Sequence, residues 1–296
     1  QRLGQWPVDT FQALLPPFPA NIQPKTENKT LVQRDMCEAA PIIWQGRLCQ
    51  LECYRPATGG TPKDYYLVVR DAENKTELAR FAEGYSLACA IVHNNTFYAF
   101  GARFEDNNWC DVTLFKSSDL KTWEQKVVIP QDKTEHLFNS SVCATPDGFV
   151  MAYETNDPAY PAFTIKFAQS ADLENWTKLP KAIFGKDHYT ACPCVRYANG
   201  QYYLMYAEHR TPRWFFEVYM ARSADLENWE LSPKNPMLTA TDLDEGIDAS
   251  DADCMEFNGK TYLYYSVGDQ LTWMNIKQVT YPGPLTEYLE AWFKKP

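Results

Sequence analysis

The sequence has no apolar run near the ~18 residues that a membrane-spanning helix needs, so nothing in it reads as a helical span. It is short of positive charge. Lys and Arg number 28 against 38 Asp and Glu, a net charge of −10, and no basic stripe is present to neutralise nucleic-acid phosphates. A disulfide framework is missing too: the nine cysteines, at 37, 49, 53, 89, 110, 143, 192, 194 and 254, are odd in number and irregularly spaced. Cys89, Cys143, Cys192, Cys194 and Cys254 fall in predicted inner strands, where a thiol serves as a small hydrophobe. Cys192-x-Cys194 has no second His/Cys pair nearby to complete a zinc site. Unpaired thiols point to the cytoplasm. The sequence starts at Gln1 with neither Met nor an apolar leader, and removal of a leader would instead make the periplasm its compartment.

What the sequence does have is a repeat. Ala171-Asp172-Leu173-Glu174-Asn175-Trp176 recurs letter for letter as Ala224-Asp225-Leu226-Glu227-Asn228-Trp229, and Ser118-Asp119-Leu120-Lys121-Thr122-Trp123 is a looser copy. The three Asp positions are spaced by 53 and 53 residues, a period that marks repeated supersecondary units. Each unit also carries an apolar run, a turn and an aromatic-rich run, as in Cys192 to Tyr206 around Asn199-Gly200 and Asp253 to Tyr265 around Asn258-Gly259. Asn-Gly suits a two-residue hairpin turn, which needs positive φ at both positions. Asp147-Gly148 takes the same part, with Gln45-Gly46 and Asn94-Asn95 as weaker versions.

Five hairpins at intervals of about 49 to 59 residues match the blades of a β-propeller. The expected fold is therefore all-β: a five-bladed β-propeller of four-stranded antiparallel blades. Its propeller spans 37–281, preceded by an extended, proline-rich arm over 1–36 that supplies the outer strand of the last blade. A cap helix lies within 282–296, where Leu285, Tyr288, Leu289 and Trp292 fall at helical spacing. The Ser-x-Asp-Leu-x-x-Trp stretch is expected to be a clasp between the third and fourth strands, with Asp accepting backbone N–H bonds and Trp packing between sheets.

In a propeller the innermost strands line a central channel, and their first residues open on one face. Registered on Gly46, Asn95, Gly148, Gly200 and Gly259, the position eight before each turn is Glu38, Leu87, Ser140, Cys192 and Asp251. Two carboxylates thus occupy one slot in the first and fifth blades, which are neighbours where the ring closes. Asp248 and Asp253 flank the second. The ends of the second strands face the same mouth and carry Arg55, Arg103, Glu154, Glu208, His209, Arg210 and Asp269. His188 and Tyr189 precede the fourth inner strand, and Trp109, Tyr160, Trp214, Phe215 and Phe216 follow in loops. Acids, arginines and exposed aromatics around one cavity suit an oligosaccharide or polysaccharide, whose hydroxyls and C–H faces they bind. A divalent cation held by Asp251 and Asp253 is an alternative, although alternate residues of a straight strand point to opposite faces.

These features resemble the five-bladed glycoside hydrolases of families 43, 32 and 117. The resemblance runs over about residues 37–281. It is carried by Asn139 to Glu154, by Tyr189-Thr-Ala-Cys-Pro193 and by Ser250-Asp-Ala-Asp-Cys-Met-Glu-Phe-Asn-Gly-Lys-Thr-Tyr262, which look like bacterial glycosyl hydrolases. Two departures stand out. Family 43 opens its first blade with Asp directly before Pro, whereas Pro41 here follows Ala40 and the nearest acid is Glu38. The family's general acid is a Glu two residues before a later Pro, and that place before Pro193 holds Ala191.

The reading that follows is a glycoside hydrolase with Asp251 or Glu38 as base or nucleophile and Glu208 as acid. Glu154 or His188 is a substitute for the acid. Arg103, Glu154, His188, Arg210, Trp214, Asp253 and Asp269 are the expected substrate-binding residues, and no cofactor is called for. The wider carboxyl gap is expected between Glu208 and the base. A non-catalytic glycan-binding propeller is the alternative, motivated by Ala191. A lyase or a phosphorylase completes the set, the latter needing a phosphate pocket around Arg210 and Arg213.

Overall fold

The computed structural model describes residues 23–27, 29–56, 60–132, 134–160, 163–210 and 215–294, with the Arg210 side chain left aside. It shows five four-stranded antiparallel sheets arranged as the blades of a propeller. The first blade comprises β2 (Glu38–Trp44), β3 (Arg47–Tyr54), β4 (Tyr66–Asp71) and β5 (Glu77–Phe81). The second holds β6 (Tyr85–His93), β7 (Thr96–Glu105), β8 (Asn108–Ser117) and β9 (Glu124–Ile129). In the third are β10 (Leu137–Thr145), β11 (Gly148–Thr155), β12 (Thr164–Ser170) and β13 (Trp176–Phe184). The fourth has β14 (Ala191–Ala198), β15 (Gln201–Arg210), β16 (Phe215–Ser223) and the two-residue β17 (Glu230–Leu231).

The fifth blade is built from both ends of the described chain. Strands β18 (Asp248–Phe257), β19 (Lys260–Gly268) and β20 (Met274–Tyr281) are completed by β1 (Thr30–Arg34), which pairs antiparallel with β20. Lys29, just before β1, donates to Glu245 at 2.7 Å, and Glu245 is fully buried. The expected arm residues 1–22 lie outside the described residues.

Apolar burial is concentrated in the seams between successive sheets. Leu51, Leu67, Phe97 and Phe115 join the first two blades, and Phe100, Leu114, Met151 and Tyr153 join the second and third. Phe167, Phe184, Leu204 and Tyr206 do so for the third and fourth. The seam of the fourth and fifth blades also takes Tyr288, Leu289, Trp292 and Phe293 from α1 (Leu285–Ala291) and the turn after it. Among the described residues the closing seam is the thinnest, with Met36, Ala39, Tyr264 and Ile276.

The repeated clasp has the expected hydrogen bonds. Asp172 Oδ1 accepts the N–H groups of Glu174 and Asn175 at 2.9 and 2.8 Å, and Ser170 Oγ accepts that of Leu173. Asp119 and Asp225 repeat this arrangement. Each Trp is half-buried and reaches the preceding blade: Trp123 stacks on Phe81 at 3.8 Å, Trp176 meets Phe100 edge-on, and Trp229 packs on Phe167 and Phe184.

One turn differs from expectation. In the third hairpin the paired residues next to the turn are Thr145 and Gly148, so the turn is Pro146-Asp147 and Gly148 already belongs to β11. Counted back equally from Trp44, His93, Thr145, Ala198 and Phe257, the inner-strand slot is Glu38, Leu87, Asn139, Cys192 and Asp251. Asn139 replaces Ser140.

Candidate active site

Four of the five inner strands carry a β-bulge near their start, between Ser86 and Cys89, Leu137 and Ser140, Ala191 and Cys194, and Ser250 and Asp253. At three of them the slot residue has positive φ: Leu87, Cys192 and Asp251. A bulge of this kind re-aims the side chain that a straight strand would point elsewhere. Here it turns Asp251 and Cys192 towards the channel, where Glu38 arrives on the unbulged β2.

The result is a cluster of acids in which Glu38 and Glu154 are buried and Asp251 is half-buried. Asn139 Nδ2 donates to Glu38 Oε2 at 3.2 Å and to Asp251 Oδ1 at 3.5 Å. Arg55 Nη2 donates to Glu38 Oε1 at 3.2 Å. Ser250 Oγ donates to Asp251 Oδ2 at 2.5 Å and in turn accepts from Gln270 Nε2. Glu154 Oε2 accepts the Cys192 N–H at 2.8 Å. The acids and their neighbours enclose only about 30 Å³, room for one water, so a larger molecule must bind above them.

Burial dominates the electrostatics. It raises Glu38 to about 7, helped by the charge of Asp251 and opposed by Arg55 and Asn139. Glu154 is raised to about 8 by burial, opposed by the Cys192 N–H, with Asp251 and Glu38 adding to the rise. Cys192 and Cys37 are also pushed up by burial next to these acids. Asp248 is raised to about 8 by burial, although Phe216 N–H donates to it at 2.7 Å. Tyr189, half-buried, has its phenol raised by burial and by Glu154, Cys192 and Asp251. It links Phe163, His209 and Phe216 into an aromatic wall, with centroids 5.1, 5.7 and 5.6 Å away.

The structure brings together Glu38, Asp251 and Glu154; among the other sequence candidates Asp253 lines the same small cavity, and several are held by partners of their own. Asp253 pairs with Arg196, which also donates to Cys254 O on the neighbouring inner strand and to Val195 O on its own. Asp251 and Asp253 therefore do not converge on one cation, and no group of three or more His, Cys, Asp or Glu among the described residues is arranged to hold a metal. Arg103 is engaged by Glu105 and Asp111. His188 bonds Asp187 at 2.7 Å. Asp269 accepts the N–H groups of Leu271, Thr272 and Trp273 and so holds a turn. Glu208 is half-buried opposite Glu217 on β16. The backbone of Arg210 ends β15, while Arg213 and Trp214 lie outside the described residues. Phe215 and Phe216 are buried in β16 rather than in a loop, and Trp109 lies in β8 against Phe104 and Tyr65.

Sequence reasoning left out Asn139, Cys37 and Arg196 and did not give Arg55 a site role. Asn139 was within reach once the third turn was placed correctly. Cys37 and Arg196 carried no signal, because neither occupies a repeated slot.

No family model and no curated protein matches the sequence. Solved structures do. BT0996, in a structure of its complex with RGII, superposes with a TM-score of 0.70 at 15% identity, over 90% of this chain and 93% of that one. A family 43 endo-arabinanase from Bacillus licheniformis gives 0.59 at 8% identity, over 82% and 94%. The Bombyx mori family 32 β-fructofuranosidase BmSUC1 gives 0.60 at 13% identity, over 92% of this chain and 66% of that one. At such identities the likeness is one of fold: this chain is a five-bladed β-propeller similar in architecture to glycoside hydrolases of families 43 and 32.

Proposed function

We propose that the protein is a glycoside hydrolase acting on an oligosaccharide or polysaccharide at the mouth of the channel, with Asp251 and Glu38 as its working carboxyls. One observation carries this reading: both acids bond the same Asn139 amide nitrogen. The two bonds leave one NH2 group at an angle, so the oxygens are closer than the bond lengths laid end to end. That suits the close pair of a retaining enzyme, about 5–5.5 Å, better than the gap of an inverting one, about 6.5–9.5 Å.

Glu38, buried and raised to about 7, holds a proton for the leaving oxygen near neutral pH. Asp251, fed by Ser250 and Asn139 hydrogen bonds, is the nucleophile. After the leaving group departs, Glu38 takes a proton from the incoming water, which releases the sugar from Asp251. Arg55 stabilises Glu38 in its ionised half of the cycle. Glu154 fixes the Cys192 backbone beside the pair, and Tyr189 with Phe163 offers a face for a sugar ring.

The non-catalytic reading is favoured by one feature, that Ala191 stands two residues before Pro193, where the family's general acid would be. Release of reducing sugar from a panel of neutral and acidic plant polysaccharides separates the two. Hydrolysis of at least one, abolished in Asp251→Asn, supports the proposal. Binding without release would make the protein a lectin-like propeller.

A further inference from the structure

A sizeable cleft lies at the other end of the same strands. Its volume is about 640 Å³, the size of a small-ligand pocket, against about 30 Å³ beneath the acids. It opens in the thin seam where the ring closes, between the turns of the first blade and the β18–β19 hairpin of the fifth. Phe257 and Tyr262, both half-buried, meet at 6.4 Å on one wall. Tyr264 lines the cleft although it is 1% exposed. Its hydroxyl can both donate and accept a hydrogen bond.

The facing wall is rigid and polar. Asp71 is buried and accepts the N–H groups of Glu73 and Asn74 at 2.9 and 3.1 Å, which fixes the turn. Arg47 lies 3.7 Å from Asp71. The charges balance, with Arg47 and Lys75 against Asp71 and Glu73, so the cleft favours a neutral ligand rich in hydroxyls. An extended peptide added to the β1 edge is a poorer occupant, because the β1–β20 pairing is bulged between Leu31 and Gln33, which twists an edge away from strand addition.

We propose that this cleft is a second carbohydrate-binding site, in which Phe257 and Tyr262 contact a neutral sugar ring and Tyr264, Asp71 and Asn74 bond its hydroxyls. It holds or guides a glycan without reacting with it, and it does not rest on the hydrolytic reading of the other face.

The test uses the full chain carrying Asp251→Asn, titrated calorimetrically with short arabino-, xylo- and fructo-oligosaccharides and, for comparison, acidic oligogalacturonides. The proposal expects at least one neutral probe to bind. Tyr264→Phe, which removes one hydroxyl and keeps the ring, should weaken that binding about five- to tenfold, at an unchanged melting temperature. Phe257→Ala should weaken it further; if that variant melts early, Asn74→Ala on the exposed turn replaces it. No neutral probe binding, or affinities unmoved by these substitutions, would overturn the proposal, as would an extended peptide as the cleft's ligand in place of the sugars. Turnover by the unsubstituted chain is measured separately, so failure of the cleft and failure of the acid pair are distinguishable.

Discussion

At the scale of single residues, the acid cluster ties chemistry to pH. Glu38 and Glu154 have folded-state pKa values raised from 4.5 to about 7 and about 8, chiefly by burial. A raised carboxyl favours the folded state when protonated. Its contribution is complete below the ordinary carboxylate range and is lost as pH rises through the folded-state value. The melting temperature should therefore fall as pH is raised through about 7 to 8. Glu154→Gln keeps an oxygen for the Cys192 N–H and should flatten the upper part of that fall. A melting temperature that climbs over this range would contradict the assignment. Turnover depends on the same proton: kcat should decline on the alkaline side as Glu38 loses it near 7, whereas a rate that rises there would exclude Glu38 as the acid.

At the scale of elements, the clasps hold neighbouring blades together. Trp176 spans the seam to Phe100, donates its indole N–H to Leu173 O at 2.9 Å and is only half-buried. Trp176→Ala should cost about 2–3 kcal/mol, below the full core value because part of the ring already faces solvent; chemical denaturation measures it. The blades were legible in the sequence because Asp119, Asp172 and Asp225 repeat with one period, and a period survives where single propensities fail. Register was harder to read. Gly148 looks like the second residue of a hairpin turn, but it starts β11 with φ of 128°, and a Cβ there would collide with Ser170 O. That glycine answers to a neighbouring strand, and reading it as a turn moved the third-blade slot from Asn139 to Ser140. Glu38 and Asp251 were legible from the turn count alone. Their link through Asn139 was not, nor was the bulge that aims Asp251, since positive φ at an Asp leaves no pattern in a sequence.

At the scale of the whole molecule, a strand drawn from the start of the described chain completes the blade at its end. Deleting the chain through Arg34 would strip β1 from β20 and remove the Lys29–Glu245 pair. The melting temperature should drop by about 10 °C or more, and an unchanged value would show that the ring does not depend on this closure. Closure also sets the first and fifth blades side by side, which is why Glu38 and Asp251 meet although they lie near opposite ends of the sequence. The central claim, that this pair cleaves a glycosidic bond, is tested most directly by hydrolysis and melting temperature measured together on Asp251→Asn and Glu38→Gln. The account predicts loss of turnover in Asp251→Asn by about a thousandfold or more, a severe loss in Glu38→Gln, and folds that melt no lower than that of the unsubstituted chain. Full turnover in both variants would contradict it, and parallel loss of turnover and stability would leave the two acids as structural parts of the channel.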